Sequence, residues 1–370
     1  MRIRVNIKRT IWWAIAAAAI TGCSSGSGSA PVGVEQISNL TQQAQVAPDA
    51  VQTMPPGALT EYKIPSHHSQ AYTIAPAGDG NLYFSESATN KIGRITTAGV
   101  ITEFSAGGGT GPNDIRTGPD GRAWFETYGP DTIGRIDYDG SVQLYPIPSP
   151  TGHPEQIVGD AKRNAVWFAE AHNQAIGEFS LASKTFTEFP VPPPTSGLTV
   201  HPFAVALDKA GNVWFSDTTN NQVDEMSGSG TILQRLNVPA PLGPGSATLW
   251  RMTLGAEGNL WLVEISGGPK SFGAVAKINP TTGVVTTYYS PASKYRLVGP
   301  FDVVGVSGGV WVAEGSLAGI AHVGSSNGHF REYSTPWKGP VGITIGSDNN
   351  LWIVEYSGNA IGKVDLSLIH

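Results

Sequence analysis

The sequence predicts an all-β chain folded as a seven-bladed propeller, and three observations carry that prediction. The first is a recurring unit: a Pro-Asp-Gly turn, a short aromatic strand closing on a carboxylate, then a β-branched strand with a central glycine. Its fullest copy runs from Gly118 through Trp124 and Glu126 to Ile136, with a second turn at Asp139-Gly140. The second is a count. Aromatic anchors at Tyr83, Trp124, Trp167, Trp214, Trp261, Trp311 and Trp352 stand 41, 43, 47, 47, 50 and 41 residues apart, the period of a four-stranded blade. The third is an offset at the ends. Ala58 to Pro65 has the pattern of a repeat's last strand, like Val100 to Phe104 and Phe186 to Pro190, whereas the final repeat stops after Ala360 to Val364. Residues 58–64 are therefore expected to complete the last blade and remove two open sheet edges.

Taken in order, the chain opens with Arg2, Arg4, Lys8 and Arg9 ahead of an apolar run from Ile11 to Ile20, the form of an export signal and too short to span a bilayer. Ile20-Thr21-Gly22-Cys23 resembles a bacterial lipoprotein cleavage box. Cys23 is the single cysteine, so no disulfide can form and lipidation is its expected use. The Gly-Ser run from Ser24 to Ser29 reads as a spacer. This division gives a signal peptide over 1–22, a lipid-anchored flexible linker over 23–57, with a short helix suggested from Val34 to Gln45, and a propeller over 58–370. The expected location is the bacterial cell envelope, on the periplasmic face of the outer membrane or the cell surface.

Composition narrows the partners. A net charge of -6 with scattered basic residues argues against nucleic acid, and 46 glycines with 27 prolines suit many short strands and turns. Nothing in the sequence demands more than a monomer. Within each blade the innermost strand begins near Tyr72, Asp114, Gln156, Ala204, Met252, Asp302 or Gly342. The tryptophan strand follows, then the glycine-bearing strand, then an outer strand. The tryptophans are read as packing between blades, and the glycines of Ile-Gly-Arg as points of close backbone approach.

Antiparallel order puts the start of each inner strand and the end of each tryptophan strand on one face. The acids Glu86, Glu126, Glu170, Asp217, Glu264, Glu314 and Glu355 are thus expected around one mouth. They could form an acidic rim for a divalent cation, Mg or Ca, or for a cationic ligand. The favoured alternative is that each serves its own repeat, paired with backbone amides or with Arg94, Arg135, Lys277 and Lys363. His153 and His201, each before a proline, could join Glu264 and Glu314 or Glu155 in a metal site, and are equally read as ordinary surface histidines. No cofactor is certain.

Gly-Pro-Asp-Gly-x-x-Trp-Phe-x-Glu, Lys91 to Thr96 and Ile101 to Phe104 resemble the repeats of the streptogramin (virginiamycin B) lyases, seven-bladed propellers akin to NHL-type repeats. The resemblance covers about residues 58–366. It implies an elimination that opens a cyclic depsipeptide lactone, with Mg²⁺ held by glutamates and a histidine base in a Pro-His-small-Ile tetrad. The positions here that match that histidine are Tyr72, Asn113, Glu155, Phe203, Trp250, Phe301 and Val341. The residues matching the glutamate before that tetrad's proline are Gln70, Gly111, His153, His201, Thr248, Gly299 and Gly339. No histidine occupies the first set, so whether the chain is an enzyme stays open.

Those replacements define the expected site. Tyr72, Phe203, Trp250 and Phe301 bring aromatic faces near Asp114, Glu155, Asp302 and Arg251, suited to a small molecule, a glycan or a protein ligand. The same aromatics could instead plug the channel. If chemistry occurs, Glu155 or Tyr72 would act as base and Arg251 would stabilise an enolate or departing carboxylate.

Overall fold

The computed structural model describes residues 42–45, 51–149, 151–195, 197–239, 247–266, 273–289, 299–315 and 319–369. Cys23, the signal segment and most of the linker lie outside the described residues.

Seven antiparallel sheets follow one another along the chain, each with its first strand at one edge and each later strand beside its predecessor. The inner strands are Ala71–Pro76, Pro112–Thr117, Pro154–Asp160, Pro202–Leu207, Ala247–Leu254, Pro300–Val306 and Pro340–Ile345, starting one to five residues earlier than the sequence suggested. Ring closure follows the expected route. Strand β3 (Leu59–Lys63), numbered after the two short strands β1 and β2 that precede it in the chain, pairs antiparallel with Ala360–Val364, placing Tyr62 opposite Ile361. Blade 7 thus takes its outer strand from the other end of the chain.

Upstream, the reading of Val34 to Gln45 as helix is corrected where it can be seen: Gln42–Gln45 (β1) is a strand, parallel to the outer strand of blade 5. Gln52–Thr53 (β2) adds in the same way to blade 6. Segments read as linker therefore cap the outer edges of two blades, where unpaired N–H and C=O groups would otherwise face solvent.

Packing explains why the anchors recur. Seven apolar clusters lie between neighbouring blades. Trp214 of blade 4 packs with Met252 and Leu260 of blade 5, and Trp352 of blade 7 packs with Ile74 and Leu82 of blade 1. The five tryptophans Trp124, Trp167, Trp214, Trp261 and Trp352 are fully buried, each removing on the order of 200 Å² from water. Four keep a hydrogen bond for the indole N–H, which donates to the aspartate of its own turn: Asp120, Asp160, Asp208 or Asp348. The repeated glycine has a specific partner. A Cβ on Gly93, Gly134 or Gly177 would fall 2.0, 2.3 or 2.1 Å from the ring of Phe84, Phe125 or Phe168, its cross-strand neighbour. The close approach is therefore ring over backbone, which fixes the register of each pair.

Candidate functional site

All seven inner strands break register at the same place. The shifts fall between Ala71 and Ile74, Pro112 and Ile115, Pro154 and Ile157, Pro202 and Val205, Leu249 and Arg251, Pro300 and Asp302, and Pro340 and Gly342. Bulges bend a strand and re-aim its side chains. They hold Tyr72, Asn113, Glu155, Phe203, Trp250, Phe301 and Val341, the set that the sequence placed at the mouth. One ring of side chains is thereby set apart from the alternating core.

Below that ring, polar side chains bridge the inner strands. Arg116 of blade 2 reaches Asp302 of blade 6 through Nη1 (3.3 Å) and Nη2 (3.0 Å), and also holds Asp114 through Nε (3.2 Å). Gln156 of blade 3 donates from Nε2 to the Met252 carbonyl and accepts from the Met252 N–H, at 2.8 and 3.1 Å, reaching blade 5. Asp114 and Asp302 accept from the Ile157 and Ile343 N–H groups of the next blades. Because an inner strand has a sheet partner on one side alone, these side chains satisfy the other edge. Beneath the aromatic rings this girdle spans the channel between distant blades.

Arg251 is the unusual member. It is 1% exposed, its guanidinium lies 5.6 to 5.9 Å from the rings of Tyr72, Phe203 and Trp250, and its nearest carboxylate contact is Asp114 at 4.0 Å. Neither Nη1 nor Nη2 makes a well-formed hydrogen bond among the described residues, and the Tyr72 phenol is the near group that comes closest to accepting one. Burial works against its charge, but Asp114, Tyr72, Asp302 and Tyr128 together more than offset this and Arg251 stays a cation. Phe203 and Trp250 pack at a tilt with ring centroids 4.5 Å apart, and Phe301 meets Trp250 edge-on at 6.5 Å, completing an aromatic collar. Burial pushes the Tyr72 phenol up to about 12, so it is a poor base and serves as part of that collar.

Glu155 is engaged at both oxygens: Tyr128 donates to Oε2 at 3.2 Å, and His153 Nδ1 lies 3.1 Å from Oε1. That corrects its expected role as a free base; it orients His153, whose Nε2 stays available. The bond to Glu155 raises the His153 pKa, whereas burial lowers that of His201. His153 and its counterpart Gln70 in blade 1 take a left-handed backbone (φ 50° and 49°) where other repeats have Gly111, Gly299 and Gly339, so the turn before the bulge demands this conformation in repeat after repeat. Sequence reading missed His172 and Tyr128. The rings of Tyr128, His153, His172 and His201 form a row with centroids 4.8, 4.8 and 6.1 Å apart. Topology was the available signal: loops after a tryptophan strand share a face with loops before inner strands.

The seven repeat acids do not form an acidic rim. They sit at the expected end of their strands, yet all are 2% exposed or less, beneath the bulges. Their partners are local, as the favoured reading had it, but Arg94, Arg135, Lys277 and Lys363 are not among them. Glu86 accepts from Thr89, Glu126 from Asn113 and the Asp114 N–H, Glu170 from Asn173, Asp217 from the His201 N–H, Glu264 from Thr287, and Glu355 from the Lys338 N–H. Arg94 and Lys277 instead bind backbone carbonyls of the next blade, while Arg135 and Lys363 pair with aspartates.

Desolvation pushes Glu86, Glu170 and Glu355 up to about 7 and Glu264 to about 8. Such acids bind protons more tightly folded than unfolded, so their contribution is complete below about pH 4.5 and is lost between there and pH 7 to 8. The melting temperature is expected to fall from pH 5 to pH 8. Glu264→Gln should flatten part of that slope and raise stability at pH 8; a slope unchanged by this substitution would remove Glu264 as a cause.

The metal set is corrected as well. Glu264 is buried against Thr287 in blade 5, and burial beside Glu332 in blade 6 holds Glu314 well above the usual carboxylate range. Neither joins His153 and His201. Among the described residues no three His, Cys, Asp or Glu side chains are grouped to hold a metal ion. Mg or Ca therefore finds no fitting donor set there, and protonated carboxyls would be poor ligands for either.

The fold and mouth define a closed seven-bladed propeller with a bulged, aromatic opening. A model of the Virginiamycin B lyase family matches residues 44–244, and the chain belongs to that family. It is 31% identical over 109 residues to a virginiamycin B lyase of Nocardia farcinica, a match spanning 29% of this chain and 38% of that relative. A solved streptogramin B lyase is 25% identical with a TM-score of 0.71, over 83% of this chain and 97% of that one. A catalytically inactive virginiamycin B lyase from Staphylococcus aureus, solved with quinupristin, has the same identity and score over 83% and 99%.

Proposed function

We propose that this protein is an extracytoplasmic binding module whose mouth takes a small molecule with an apolar or aromatic body and an amide or ester carbonyl. The observation that carries it is the collar of Tyr72, Phe203, Trp250 and Phe301 around Arg251, a buried cation whose two terminal nitrogens lack a well-formed hydrogen bond among the described residues. Unsatisfied buried donors are costly and call for an explanation, and a ligand carbonyl that enters by displacing a collar ring would supply one. Asp114 and Asp302 hold the guanidinium layer in place, Phe301 closes the collar, and Glu155 with His153 offers a polar edge. Quinupristin, present with the Staphylococcus relative, is a rational first probe. Export and anchoring through Cys23 belong to the same reading, and Cys23→Ser should abolish partition of the protein into a detergent phase.

A second reading, elimination at a carbon-oxygen bond, is favoured by the His153–Glu155 pair. His153 Nε2 would take the proton from carbon. The electron pair would form the C=C bond as the C–O bond breaks, and the carboxylate would leave while Arg251 holds the developing oxyanion. Mass spectrometry of quinupristin incubated with the protein separates the readings. The binding reading expects the intact ligand retained by the protein and lost by about tenfold or more in Arg251→Met. Ring opening abolished by His153→Ala would establish the second reading, and neither binding nor turnover would sink both.

A further inference from the structure

We infer that the far end of the axial channel is a second ligand site, for a neutral amide-bearing molecule with an apolar body. The girdle that floors the aromatic mouth also roofs a cavity of about 280 Å³, lined by the closing residues of the inner strands of blades 2 to 5. Those closing residues, from Thr117 to Leu254, are at the opposite ends of the strands from the bulges and Glu155. The mouth and this cavity are therefore separate places on one axis.

Three features define what would fit. The walls are mixed: Val158, Leu207 and Leu254 give partly exposed apolar side chains, Thr117 and Thr253 give hydroxyls, and Val205 and Met252, whose side chains are buried between blades, border the cavity from their strands. The roof is electrically balanced, since Arg116 and Arg251 stand against Asp114 and Asp302, so a charged ligand gains nothing from it. Hydrogen-bonding capacity nevertheless remains. A guanidinium has five N–H groups. Arg116 uses Nε, one Nη1 hydrogen and Nη2 on the two aspartates, and among the described residues the other Nη1 hydrogen has no acceptor. Its side chain is 19% exposed while both carboxylates are hidden, so the donor is the part of the ion pair a ligand can meet.

The backbone contributes as well. Near the mouth the free edges of the inner strands are capped by side chains, at Ile115 by Thr73, Ile157 by Asp114, Met252 by Gln156 and Ile343 by Asp302. Toward Gly159 and Leu254 the same edges border the cavity and present both N–H and C=O groups. An amide offers a carbonyl to Arg116 and an N–H to a strand edge, which neither a simple anion nor an ammonium ion does. Apolar side chains with a few convergent polar groups are the usual make-up of small-molecule sites.

The test is a methyl NMR titration of the whole propeller with acetanilide, using benzoate and benzylammonium as charged controls. The expected result is saturable shifts on the methyls of Val158, Val205, Leu207, Met252 and Leu254 at millimolar acetanilide, with either control about tenfold weaker or more. Thr253→Phe should abolish these shifts with the melting temperature kept, and Val158→Phe serves if that variant is unstable. His153→Ala, which alters the mouth, should leave them in place. Equal binding of the three probes, shifts confined to the mouth around Phe203 and Val341, or no saturable shift at millimolar concentration would each overturn the proposal.

Discussion

A chain beginning at residue 65, without β3, is expected to lose cooperative folding, whereas one beginning at residue 51 keeps it. The five-residue ladder between Leu59–Lys63 and Ala360–Val364 closes the circle, extended by the Asp365 N–H donating to the Ala58 carbonyl and the Ile64 N–H to the Asn359 carbonyl. Around it, Ile64 is 4% exposed within the cluster that joins blades 7 and 1, and Tyr62 stacks on Trp352 at 5.8 Å. Tyr62 also lies where a Cβ on Gly99 of blade 1 would sit, 1.9 Å from its ring. Asn359, itself left-handed at φ 53°, donates to the Ile64 and Ser66 carbonyls and accepts from Ser69.

The magnitudes decide the outcome. Burial of Ile64 alone contributes about 1.5 to 3 kcal/mol, and each ladder hydrogen bond roughly 0.5 to 1.5. Together with Tyr62 and the opened interface, the loss is comparable with the whole stability of a typical domain, about 5 to 15 kcal/mol. Circular dichroism and urea denaturation of the two truncations measure it. A cooperative transition at an unchanged midpoint for the chain starting at 65 would show that the closure is dispensable. Ile64→Ala, a milder probe of the same seam, should cost about 2 to 5 kcal/mol.

This seam was legible in the sequence because hydrogen-bonded strand order leaves a trace in the repeat phase: Ile-Thr-Glu-Phe recurs, and its copy near Tyr62 is displaced to the front. Blade count and core were legible for the same reason, since aromatic anchors repeat where packing repeats. The site was less so. A bulge adds one unpaired residue without changing composition, so the position of Glu155 could be read in advance and its direction could not. That Glu155 orients His153 rather than acting alone depends on His153 adopting a left-handed backbone, for which the glycines at the same place in three other repeats were the available signal. Burial was the other hidden quantity. Glu264 and Glu314 read as rim carboxylates because carboxylates are usually exposed, yet twist and packing of adjacent blades enclose them.

The girdle gives the second large effect. Arg116→Leu removes the cation between Asp114 and Asp302, which are 0% and 1% exposed, and is expected to destabilise the protein by about 3 to 5 kcal/mol. Most of that cost is the two carboxylates left without their counter-ion, so adding Asp114→Asn and Asp302→Asn should recover much of it. Arg116→Lys should recover little, because one ammonium cannot reproduce contacts made from Nε and both Nη atoms to two acids. Urea midpoints of the variants measure it. A loss below about 1 kcal/mol would mean that Arg251 takes over the neutralisation of Asp114 and that the girdle is redundant.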